Sequence, residues 1–128
     1  MAVSIISNRP RTSAVFHVTP PNATLIVAGN NSVSNVASTG ETLTGAYITQ
    51  AIWGCDPNGY IIIKRNTTPV AYYDSTGQHE YAGCGMPINV QQTANINVEF
   101  VGSSNCFIMF EVQKVGPNLT LNSEYFQV

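Results

Sequence analysis

The sequence predicts an all-β chain folded as a single antiparallel β-sandwich of jelly-roll type, and three observations carry that expectation. Apolar residues recur with a period of two. Turn signals punctuate the chain at short, fairly regular spacing. No long stretch shows helical periodicity, and 128 residues suit one domain with one core.

The elements follow in order. Residues 1–13 start apolar, with Ile5 and Ile6, and then carry Arg9-Pro10-Arg11. Residues 14–18 and 25–28 read as strands, with Pro20-Pro21 between them blocking helix. Residues 42–53 form a longer run rich in Thr, Tyr and Ile, and 60–65 read as a strand that fades into charge. Between these runs Asn58-Gly59 predicts a tight hairpin, because both residue types tolerate positive φ. Residues 70–73 are another short strand. Ile96, Val98 and Phe100 alternate with Asn95, Asn97 and Glu99, as in a strand with one wet face. In 106–113, Ile108, Phe110 and Val112 lie on one face and Phe107 and Met109 on the other. Two apolar faces place that strand at the centre of a packed structure or half inside a subunit interface. Turn spacing gives about seven to nine strands.

Residues 14–116 thus make the sandwich. The segments 1–13 and 117–128 admit two readings: edge strands of the same domain, or arms that reach a neighbouring subunit. The apolar Tyr125 and Phe126 near the end need a docking site on either reading.

Composition narrows the function classes. Only 9% of residues are charged, so neutral Asn, Ser, Thr and Gln must keep the surface wet. Five basic against seven acidic residues leave no basic patch for nucleic acid. No segment approaches the roughly 20 apolar residues of a membrane-spanning helix. Cys55, Cys84 and Cys106 are an odd number, which reads as free thiols in a reducing compartment, and the amino-terminus lacks a signal-peptide pattern. The Asn-x-Ser/Thr triplets are then accidents of an Asn-rich chain. A weakly charged surface also tolerates contact with another protein, since few ions must be desolvated.

The search for chemistry returns no enzyme signature. His17 sits in a strand context and reads as structural. His79 follows a turn but has no nucleophile motif beside it, and the carboxylates are scattered. Cys55, Cys84, Cys106 and His79 are chemically possible zinc ligands, yet their spacing is not that of a zinc site. No cofactor is expected. Trp53 precedes a turn and Tyr60 follows it, so the pair could face each other across a hairpin as a platform for a sugar ring; the other and favoured reading of Trp53 is packing in the core. Tyr72 and Tyr73 must point to opposite faces, which makes one of them a contact candidate.

The middle of the chain carries a family resemblance. It runs through Ile52-Trp53-Gly54, Asn58-Gly59-Tyr60-Ile61-Ile62-Ile63-Lys64-Arg65-Asn66, Val70-Ala71-Tyr72 and Ser75-Thr76-Gly77. Gly85-Met86-Pro87-Ile88, Thr93-Ala94-Asn95-Ile96-Asn97-Val98 and Phe110-Glu111-Val112-Gln113-Lys114 complete it. Over residues 42–114 this resembles the small β-sandwich proteins that decorate or cement the heads of tailed bacteriophages. The resemblance implies a virion protein on the outer capsid surface, trimeric, bridging major capsid subunits, with no cofactor and no catalysis. The interface candidates are then Ile5, Ile6, Arg9, Arg11, Tyr72, Phe107, Met109, Tyr125 and Phe126. The alternative is a carbohydrate- or receptor-binding module of a phage tail or fibre, with Trp53 and Tyr60 as its ligand platform.

Overall fold

The structure is a computed structural model that describes residues 3–10, 12–80 and 93–116. Its strands are β1 (Val3–Arg9), β2 (Ser13–Val18), β3 (Ala23–Leu25), β4 (Gly29–Asn30), β5 (Thr42–Leu43), β6 (Gly45–Cys55), β7 (Tyr60–Arg65), β8 (Thr68–Asp74), β9 (Thr76–Glu80), β10 (Ile96–Val101) and β11 (Cys106–Val115). One sheet has the order β1-β2-β11-β6-β9 and the other β3-β10-β7-β8, while β4 and β5 pair on their own.

The pairing is nested. Leaving aside β1 and the short β4 and β5, the first strand of the remaining eight, β2, pairs with the last, β11. The second, β3, pairs with β10; the third, β6, with β9; and the fourth, β7, with β8. All four pairs are antiparallel, so the chain behaves as one long hairpin folded over on itself. That is the jelly-roll arrangement of two packed sheets expected from the sequence. The eight strands and β1 fall within the expected range; the two-residue β4 and β5, too short to show in any period, bring the described strands to eleven.

Alternation builds the core. Phe16 and Val18 of β2, Ile108, Phe110 and Val112 of β11, and Ile48 and Ala51 of β6 point inward from one sheet. Ile61 and Ile63 of β7, Ile96 and Val98 of β10, and Leu25 of β3 meet them from the other. Phe16 and Phe110 sit side by side with ring centroids 5.9 Å apart. Burying each such side chain is worth about 1.5–3 kcal/mol.

Asn58-Gly59 is not a hairpin. β6 and β7 do not pair with each other but lie in different sheets, so the turn carries the chain across the sandwich. Neither residue has positive φ. The turn is held by Asp56, whose Oδ1 accepts from the Asn58 N–H at 3.0 Å and whose Oδ2 accepts from Ser103 Oγ at 2.6 Å. These bonds, that to Ser103 foremost, hold the Asp56 carboxyl below its usual value of 3.8. Gly59 is required for room: a Cβ there would lie 2.7 Å from Ser103 Cβ. The two-residue hairpin falls instead at Asn66-Thr67, between Arg65 and its partner Thr68, with Asn66 at φ 55°. Asn tolerates the left-handed region better than most residues.

Among the described residues two cations are buried. The Arg65 guanidinium donates to the carbonyls of Ala46 and Ala94, tying β7 to the opposite sheet, and burial pulls its pKa down to about 10. Lys114 Nζ donates to Asn8 Oδ1, Ser38 Oγ and Glu41 Oε1 at 2.6, 3.0 and 2.8 Å.

Candidate interaction surfaces

Residues opposite each other on neighbouring strands share a face. On the outer face of the five-stranded sheet, Ser4, His17, Met109, Ile52 and Gln78 form one row across all five strands. The next row places Phe107 against Gly54 and Thr76. The Phe107 ring lies over Gly54, where a Cβ would come within 2.7 Å of Phe107 Cε1. It also meets the His17 ring at a centroid distance of 5.8 Å. Ile52 is 45% and Phe107 37% exposed, so this apolar strip is open to solvent at the centre of a sheet. Val15, Gln50, Ile52, Met109 and Glu111 line a shallow depression within it. The neighbouring row carries acid: Glu111, Gln50 and Glu80 lie in register.

The second surface is the outer face of the four-stranded sheet. Ile62 stands opposite Tyr72, with Tyr60 diagonal to them, and the two tyrosine rings lie 6.5 Å apart. Tyr72 is 65% exposed. Lys64 and Glu99 form a 2.9 Å ion pair beside them.

The third surface is the edge strand β1. Ile5 and Ile6 are exposed, and the register shifts between Ile5 and Ser7, as at a β-bulge. Arg9 ends the strand and is exposed. Arg11, Tyr125 and Phe126 lie outside the described residues, as does Cys84.

The structure separates Trp53 from Tyr60. Trp53 points inward from β6, its ring 4.3 Å from that of Tyr73 and its Nε1 donating to the Asp74 carbonyl at 2.9 Å. Tyr60 points outward from the other sheet and pairs with Tyr72 instead. Trp53 thus takes the core position, and the alternative of a shared platform with Tyr60 fails because it rested on a hairpin that does not form. Of the possible zinc ligands, Cys84 lies outside the described residues and the other three do not come together. Cys55 and Cys106 are cross-strand neighbours, but His79 pairs with Ala51, roughly 13 Å along β6 from Cys55 at strand rise. Among the described residues no group of three or more His, Cys, Asp or Glu side chains gathers as a metal site.

The sequence reading missed Ile52 and His17 as members of the outer strip. Gln50, Ile52 and Gly54 do alternate with the buried residues of β6, but only register shows that they meet Met109 and Phe107.

The described residues define a jelly-roll β-sandwich with two apolar outer strips. No family model, no curated protein and no solved structure matches the chain.

Proposed function

We propose that this chain is a structural virion protein, a decoration or cement protein that docks on the outer surface of a phage head, bridges major capsid subunits and works as a homotrimer without catalysis. The observation that carries this reading is the solvent-open strip of Ile52, Phe107 and Met109 at the centre of the five-stranded sheet. A sheet centre is rigid, and burying its apolar atoms against another protein removes them from water at about 25 cal/mol per Å². The low charge of the chain reduces the desolvation cost of such contact. Jelly rolls build viral capsid and lectin domains, although a fold alone assigns no function. The test is the solution mass of the purified chain by light scattering, with reductant present. A trimer is expected; a monomer at every concentration sinks the trimeric reading.

The Tyr60–Tyr72 pair favours a second reading, a carbohydrate- or receptor-binding module of a phage tail or fibre. Exposed aromatic faces beside polar groups suit sugar rings. A glycan screen against the chain and its Tyr72→Ala variant separates the two, because only the second reading requires a glycan signal that the variant loses.

A further inference from the structure

Cys55 ends β6 and Cys106 begins β11, and the two stand directly opposite each other in the register. The Cys55 N–H points away from β11, donating to the Ser75 carbonyl at 2.7 Å, while the next N–H, that of Asp56, turns back to the Asn105 carbonyl at 3.2 Å. Cys55 and Cys106 therefore form a non-hydrogen-bonded antiparallel pair. In such pairs the Cα atoms lie about 4.5 Å apart and the side chains share a face. Disulfides span Cα separations of about 4.4–6.8 Å. The Cys106 side chain is close enough to Cys55 to raise its thiol's proton affinity. Cys106 is buried and Cys55 half-buried, so a small reagent can enter from the Cys55 side. Gly59 leaves space for the pair, since a Cβ there would lie 3.0 Å from Cys106 Sγ.

We propose that Cys55 and Cys106 are a redox-active dithiol that closes to a cross-strand disulfide by exchange with a low-molecular-weight disulfide. One cysteine, as its thiolate, attacks a sulfur of the small disulfide; that S–S bond breaks and one small thiolate leaves. The second cysteine sulfur attacks the mixed disulfide, forming the Cys55 Sγ–Cys106 Sγ bond and expelling the second small thiolate. The two protons lost by the cysteines end on the two expelled thiols. The protein pair is oxidised by two electrons and the small disulfide is reduced. The new bond fastens β6 to the central strand β11 of the five-stranded sheet, at the end where the turns around Gly59 and Ser103 pack together.

The test uses the full chain with Cys84→Ser, which leaves only these two thiols. The reduced protein is equilibrated with oxidised glutathione in mildly alkaline native buffer, and its free thiols are then counted in denaturant. The count should fall from two to none, the mass should drop by two hydrogens, and proteolysis should leave the Cys55 and Cys106 peptides joined. Two surviving thiols, or two glutathione adducts in place of the bridge, overturn the proposal. If Cys84→Ser does not fold, the unsubstituted chain is treated identically and mapped. A 55–106 bridge supports the proposal there, and any other outcome overturns it.

Discussion

Lys114 and Glu41 form a 2.8 Å ion pair that is closed to water, the ammonium wholly buried and the carboxylate 3% exposed. It belongs to a small polar core. Glu41 Oε1 also accepts from the Ser38 N–H at 2.6 Å, and Asn8 donates to the Val36 carbonyl. Lys114 thereby ties β11 to β1 and to the loop before β5. All three ammonium protons have acceptors, which is what makes a buried cation tolerable.

Removing one partner strands the other charge in the interior. Lys114→Met and Glu41→Leu should each cost about 3–5 kcal/mol, a large part of the stability of a small domain. The double replacement Lys114→Met/Glu41→Leu should cost less than the two single changes summed, because it strands no charge. Urea denaturation of the four proteins measures this, and a single-variant cost below about 1 kcal/mol would show that the pair contributes little.

Two glycines separate backbone strain from collision. Gly40 and Gly102 have nearly the same φ, 86° and 84°. An added Cβ meets nothing within 4 Å at Gly40, but at Gly102 it would lie 2.2 Å from the Asn58 carbonyl oxygen. Gly40→Ala should therefore cost only the left-handed penalty, about 1–2 kcal/mol. Gly102→Ala adds a clash with the backbone of the Asp56–Gly59 turn and should cost about 2–4 kcal/mol. Thermal melts of both variants check the ranking; equal losses would contradict it.

Much of this fold was legible because alternation reports burial directly. The inward set of β10 and both faces of β11 can be read from Ile96 to Phe100 and from Phe107 to Val112. Partnership was not legible. Nothing local distinguishes an Asn58-Gly59 turn that pairs its flanking strands from one that sends them to different sheets. The turn that parts them is held by Asp56 bonding to Ser103, which lies 47 residues away in sequence. The same limit hid the Cys55–Cys106 pair and the Tyr60–Tyr72 pair, since both depend on register between distant segments. Lys and Arg are seldom buried, and for Lys114 and Arg65 only the acceptors, supplied by distant segments, explain it.

The outer strip makes a separable prediction. Ile52 and Phe107 are part-exposed on a face whose packing lies on the other side of the sheet. The double variant Ile52→Gln/Phe107→Gln should keep stability within about 1 kcal/mol, because solvent-facing changes seldom exceed that. On the proposed trimer it should shift the light-scattering mass to that of the monomer. A variant that stays trimeric would move the interface elsewhere, with the edge at Ile5 and Ile6 the next surface to alter.

Cys55 makes a prediction in pH. Burial first, then the neighbouring Cys106 side chain and the nearby charges of Asp56 and Asp74, push its thiol up from 9.0 to about 12. The folded protein thus holds this proton more tightly than the unfolded chain does. The stability this contributes is present below pH 9.0 and is lost as pH climbs from there toward 12. The same proton governs reactivity, since only the thiolate attacks. In the Cys84→Ser chain, alkylation at Cys55 by iodoacetamide, followed by peptide mass analysis, should quicken about tenfold per pH unit from about pH 8 to 10 without levelling off. An ordinary thiol with a value of 9.0 would bend toward a plateau within that range. A plateau near pH 9 would show that the neighbouring carboxylates and Cys106 do not hold the proton on Cys55.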